Sequence, residues 1–223
     1  MEESDWSSDV CSSDLHQDRA RAGPEHADAG AVSEPRRFDL RGIAPQPWKN
    51  GAGLTREIAF GGASAADFDW RLSVAEVVRD APFSAFPGID RCITLLSGAG
   101  MHLRAVDGSM DHALTTPLVP FRFAGDIALE AALVDGACSD FNLMTRRGRW
   151  HGDVEIASGP IEIASVDVTL LLACIDEWQV GDHTLSPGQG LLWRAPPAEA
   201  IDVRPRNAGA ALLVARLCHD RGP

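Results

Sequence analysis

From residue 38 onward, apolar side chains recur at every second position in short runs broken by Gly, Pro, Asp and Ser, which is the pattern of β-strands joined by turns. The alternation is clearest over 70–78. Trp70, Leu72, Val74 and Val78 share one face, and Arg71, Ser73, Ala75 and Val77 share the other. Both faces are mostly apolar, as expected where one lines a barrel and the other packs beneath neighbouring structure. A strand follows the turn at 48–58, and the pattern predicts more at 91–96, 101–106, 121–123, 127–134, 141–146, 154–156, 168–175, 191–194 and 211–217. No segment carries a long helical stripe, so the fold class is all-β.

A weak internal repeat divides the chain. Cys92-Ile93-Thr94-Leu95-Leu96-Ser97-Gly98-Ala99-Gly100-Met101, then Leu118-Val119-Pro120-Phe121, is matched by Leu170-Leu171-Leu172-Ala173-Cys174-Ile175, then Leu185-Ser186-Pro187-Gly188-Gln189-Gly190-Leu191. Each reads as a strand, a turn and a Pro-marked turn into another strand. Two antiparallel barrels are therefore expected, at 36–150 and 151–223, with strands exchanged between them. Residues 1–35 are of another kind: nine acidic against two basic residues and no apolar period, the composition of a disordered tail. Within it, Asp5-Trp6-Ser7-Ser8-Asp9-Val10-Cys11-Ser12-Ser13-Asp14-Leu15 looks like translated sequencing-adapter sequence and is set aside.

Charge and cysteine usage narrow the partners. A net charge of −12 argues against nucleic acid, whose phosphates need a basic face. The longest apolar run, around 170–175, is too short to cross a bilayer, and no charged start leads into an apolar segment, so a cytoplasmic protein without a membrane partner is expected. The five cysteines are odd in number, widely spaced and without C-x-x-C, which points to buried thiols rather than disulfides or zinc.

Four blocks concentrate polar groups beside flexible backbone: Trp48-Lys49-Asn50-Gly51-Ala52-Gly53-Leu54-Thr55-Arg56-Glu57-Ile58, Phe68-Asp69-Trp70-Arg71-Leu72-Ser73-Val74-Ala75, Pro82-Phe83-Ser84-Ala85-Phe86-Pro87-Gly88-Ile89-Asp90-Arg91 and Asp140-Phe141-Asn142-Leu143-Met144-Thr145-Arg146-Arg147-Gly148. On these blocks the chain resembles the HutD/Ves family of cupin-like proteins, from about Phe38 to its C-terminus. One departure is Ala52, where the family more often has a third glycine. The resemblance implies a bicupin, a link to histidine utilisation and a ligand-binding or regulatory role; formylglutamate, urocanate and formate-like groups are candidate ligands by that association alone.

The residues themselves limit the chemistry. Metal-dependent cupins carry an H-x-H with a following Glu and a later histidine past a Pro/Gly corner. Here that corner leads into Leu191-Leu192-Trp193 and no H-x-H occurs, so neither a metal nor any other cofactor is expected. His102 and His183 read as exposed or hydrogen-bonded histidines. Ser84 lacks a G-x-S-x-G elbow and no cysteine has a nearby histidine in sequence. Glu57 and Asp90 are candidate acid/base carboxylates, or partners of Arg56, Arg71 or Arg91.

Arg71 is the central candidate. A guanidinium facing a barrel interior needs a carboxylate partner, from the protein or from a ligand, and its planar fork suits bidentate capture. Asn50, Gly51 and Gly53 form a turn that could present backbone N–H donors, with the Thr55 hydroxyl and Ser73 beside it. Trp48, Phe83 and Phe86 are expected to wall the pocket, Arg91, Asn142 and Arg146 to line it, and Trp70, Phe121, Phe123, Phe141, Trp178 and Trp193 to fill the core. The expectation is a metal-free bicupin binding a small carboxylate metabolite as a sensor in histidine degradation. The alternatives are a cofactor-independent hydrolase or isomerase in the same pocket, or a structural partner of another enzyme; a homodimer is open.

Overall fold

The computed structural model describes residues 34–163, 166–195, 197 and 200–220. The tail reading for 1–33, adapter-like segment and Cys11 included, lies outside them. The described chain is antiparallel β throughout, apart from one 3-10 turn at Leu40–Gly42 capped by the Asp39 side chain.

Four sheets account for the strands. A six-stranded sheet runs β2 (Gln46–Pro47), β3 (Gly53–Gly62), β4 (Phe68–Val77), β11 (Cys138–Arg146), β6 (Ile89–Ser97), β9 (Pro120–Ala124). Facing it is a sheet of β5 (Ala81–Phe83), β10 (Leu129–Leu133), β7 (Met101–Ala105) and β8 (Asp111–Leu114). The C-terminal region forms a five-stranded sheet, β1 (Arg36–Asp39), β17 (Gln189–Trp193), β14 (Val168–Ile175), β19 (Ala211–His219), β12 (Trp150–Ala157), faced by β13 (Ile161–Ile163), β18 (Ile201–Pro205), β15 (Trp178–Val180) and β16 (His183–Leu185). The N-terminal strand β1 thus pairs with β17, far along the chain.

Three apolar clusters tie the sheets together. Val77, Ile93, Leu95, Met101, Leu103 and Leu129 fill the first facing pair; Leu171, Trp178, Leu191, Trp193 and Val214 fill the second. Between the two large sheets lie Trp70, Leu72, Val74, Phe141 and Leu143 against Leu170, Leu172, Leu213 and Leu217. The period-2 pattern made this arrangement possible: a strand buried on both faces alternates between two cores, as Leu170 and Leu171 do.

Some expectations need correction. Val78 does not continue the Trp70 face: β4 ends at Val77, and Val78 lies outside the sheet with 47% of its surface exposed. Likewise β7 stops before Val106 and β10 before Val134, both exposed in turns. Phe121 and Phe123 are only half-buried, while Trp70, Phe141, Trp178 and Trp193 are core. Of the thiols, Cys92 and Cys138 are buried but Cys174 and Cys218 only partly so; all four are free. Strands such as β5, β8, β13, β15, β16 and β18 escaped the sequence reading because three to five residues hold too little alternation to register.

One close approach secures β1. A Cβ at Gly190 would meet the Leu171 carbonyl oxygen at 2.2 Å and the Phe38 ring at 2.2 Å, so only a hydrogen fits where Phe38 lies over β17. Gly190→Ala is expected to cost about 1–3 kcal/mol by overpacking. Denaturant melting checks this, and unchanged stability would contradict it.

Candidate functional site

Alternate residues of four neighbouring strands converge on the interior of the first sheet pair. In register, Arg71 of β4 and Arg91 of β6 both lie opposite Met144 of β11; one step along, Ser73 and Ile93 lie opposite Asn142; one step further, Ala75 and Leu95 lie opposite Asp140. Because side chains alternate, all of these face the same way. Small Ser73 and Ala75 leave room between the two arginines and the turn at 48–50. The result is a cavity of about 380 Å³, within the range of small-ligand sites.

Its wall combines Trp48, Phe83, Phe86 and Met144 with the polar ends of Lys49, Asn50, Thr55, Arg71, Ser73, Ser84, Arg91 and Asn142. Trp48 and Phe83 meet edge to face, with ring centres 5.9 Å apart. The Trp48 indole N–H donates to the Thr55 hydroxyl at 2.8 Å, which satisfies the indole and fixes that wall.

Arg71 meets Glu57 at 3.0 Å from Nε to Oε2, with both side chains largely buried, although the N–H does not point along the contact as a hydrogen bond would. Glu57 stands beside the cavity rather than lining it, whereas Arg71 lines it, with its guanidinium carbon 6.0 Å from the centre of the Phe68 ring. The proposed internal pair and the open cavity therefore coexist at this residue.

Arg91 is 5% exposed, and its guanidinium carbon sits 5.0–5.6 Å from the centres of Phe83, Phe86 and Phe123. It donates to the Asn142 amide oxygen at 2.7 Å, and Asn142 in turn donates to Asp140 Oδ1 at 2.5 Å. Burial lowers the Arg91 pKa to about 10, against the pull of Asp140 and with a push from Arg71. Asp140 is fully buried, and burial raises its carboxyl to about 7 despite Arg91.

Several predicted residues lie elsewhere. Asp90 points to the opposite face of β6, half-exposed, and pairs with Arg147 at 2.6 Å; Arg147 also holds Asp126 at 2.9 Å. Arg146 is tied to Asp67 at 2.7 Å and Asp69 at 3.3 Å, away from the cavity. Gly51 and Gly53 shape the turn without lining the space. The Gly51 N–H donates to Trp48 and the Ala52 N–H to Asn50 Oδ1 at 3.0 Å, so those donors are used inside the turn. Gly51 needs its freedom, at φ +65°, whereas Ala52 has no positive φ and its methyl is buried without strain. Lys49, Ser84, Met144 and Asp140 were present in the motif blocks but not assigned. Counting alternate residues along β11 from Asn142 would have found Met144 and Asp140.

Among the described residues no group of three or more His, Cys, Asp or Glu converges on a common point. No described helix is long and apolar enough to span a membrane.

A family model described as HutD matches residues 41–213. Protein Ves of Citrobacter koseri is 38% identical over 157 residues, which is 70% of this chain and 81% of that protein. Among solved structures, HutD from Pseudomonas fluorescens SBW25 in a formate condition is 31% identical with a TM-score of 0.74, covering 85% of this chain and 100% of that one. A conserved protein of unknown function from Pseudomonas aeruginosa PAO1 is 30% identical with a TM-score of 0.70, over 83% and 100% of the two chains.

Proposed function

The chain belongs to the HutD family, and from that premise we propose that it is a metal-free bicupin whose Arg71–Arg91 cavity binds a small carboxylate metabolite and serves as a sensor in histidine degradation. Each facing pair of sheets is one cupin barrel under this reading, with β1 exchanged from the first half of the chain into the second. The histidine link rests on the family resemblance.

The observation that carries the binding role is the cavity wall. Among the described residues it is lined by Lys49, Arg71 and Arg91 and by no Asp, Glu, His or Cys. Such a set attracts and orients an anion but offers no carboxylate or imidazole as acid/base partner, which favours a binder over a hydrolase or isomerase. Asp90 pairs with Arg147 on the other face of β6, and Glu57 meets Arg71 beside the cavity rather than lining it, which weighs against either carboxylate as a base there.

The test is a thermal-shift screen of histidine-pathway carboxylates. A true ligand at about a hundred times its dissociation constant adds about 2.7 kcal/mol of stability. Arg71→Ala should then weaken binding by about 1.5–3 kcal/mol, roughly tenfold to more than a hundredfold. Arg71→Lys should restore it only partly, because an ammonium cannot make two parallel hydrogen bonds. Lost stability with unchanged affinity in Arg71→Ala would reduce Arg71 to a structural partner of Glu57 and overturn the assignment.

A further inference from the structure

Asp140 is buried one position behind the cavity wall, and its only described polar contact is the Asn142 amide that also holds Arg91. Among the described residues its second oxygen, Oδ2, has no hydrogen-bond partner, and neither has Nε of Arg91. An unpartnered carboxylate oxygen in an apolar interior is expensive unless it carries a proton. The link to Arg91 is electrostatic as well as geometric, since the two charges stabilise one another through a single amide. Resting on the carboxylate-binding reading above, we propose that Asp140 is a positioning residue that sets the net charge Arg91 presents to the cavity, and that anion binding at Arg91 is coupled to proton uptake by Asp140.

The coupling follows from charge. While Asp140 is ionised, Arg91 is already neutralised from behind, and an incoming carboxylate meets a second negative charge one residue away. Once Asp140 takes a proton, Arg91 answers to the ligand alone. By reciprocity, a bound anion raises the proton affinity of Asp140, so affinity is highest at low pH and falls as pH rises through the range where the free protein loses that proton. The resting position of that proton, raised to about 7 by burial, puts the range near neutrality.

Other groups around Asp140 do not supply the same response. On its own strand Cys138 is pushed up to about 11 by burial and by Asp140 itself. On β6 the charged neighbour is Arg91; β4 brings uncharged Ala75 opposite, with Arg71 further along, and β3 brings Thr55 and, one step on, Glu57 held by Arg71. The facing sheet presents apolar Phe83, Met101, Leu103 and Leu129, together with His112, which stacks on Phe121 and is lowered by burial. The shift of His112 is thus away from the expected window, not toward it.

Sodium formate is a suitable probe because it stays ionised across the range. Calorimetric titration of the full chain in buffers of different ionisation enthalpy reads proton uptake directly, without any variant. We expect fractional uptake per formate bound near about pH 7.5, none near about pH 5, and severalfold weaker binding at about pH 9 than at about pH 6. Asp140→Asn, neutral and of the same shape, should bind as the low-pH wild type does at every pH and take up no proton. Affinity that is flat with pH in the wild type, zero uptake near about pH 7.5, or uptake undiminished in Asp140→Asn would overturn the coupling while leaving the binding site intact. Failure of formate to bind at any pH would overturn the cavity reading and the coupling with it.

Discussion

Replacing Asp140 by Asn will stabilise the fold above about pH 7 and leave it nearly unchanged at about pH 4. The carboxyl is fully buried, and its pKa in the folded protein is raised to about 7, chiefly by burial, with Arg91 pulling the other way. An unfolded Asp titrates near about 3.9, so between these two values the folded state holds a proton that the unfolded state has released. Stability is therefore lost progressively as pH rises from the unfolded value to the folded one, and the loss is complete above it. A difference of this size corresponds to on the order of 4 kcal/mol. Asn has no proton to release and escapes the loss. Exposed carboxylates such as Asp107 and Asp126, lowered by their hydrogen bonds, favour the fold at high pH, but they do so in both proteins and cancel in the comparison. Urea melts of the two proteins across pH decide the matter. If wild type and variant fall in parallel, Asp140 is ionised in the fold and the account of its burial is wrong.

The second large effect concerns the other half of the molecule. Trp193, 1% exposed on β17, fills the interior of the second sheet pair with Trp178, Leu171, Leu191 and Val214. Truncation to Ala removes a large buried side chain and leaves a cavity that its strand neighbours cannot close, at a cost of about 3–5 kcal/mol. Ligand affinity of the molecules that remain folded should not change, because none of the described cavity-lining residues belongs to that sheet pair. Calorimetry at low temperature, alongside denaturant melting, reads both quantities. A well-folded Trp193→Ala protein with weakened binding would show that the second half takes part in recognition.

Alternation every second residue was enough to assign the all-β class, most of the longer strands and the two faces of β4, because a pleated strand must present successive side chains to opposite sides. The same local rule put Arg71 and Ser73 on an interior face and, with the motif blocks, put Trp48, Phe83, Arg91 and Asn142 beside them. The carboxylates were not legible in this way. Asp90 and Arg91 are adjacent in sequence, yet adjacency in a strand means opposite faces, so one meets Arg147 at the surface and the other is enclosed by aromatic rings. Glu57 meets Arg71 across β3 and β4 in a stretch where a bulge after Glu57 shifts the pairing. Asp140 gained its role only when β11 was laid between β4 and β6, which placed it behind Asn142 and Arg91 and away from water. Strand alternation is a local property of the chain, whereas register between strands distant in sequence, and the desolvation that follows from it, exist only in the assembled sheets.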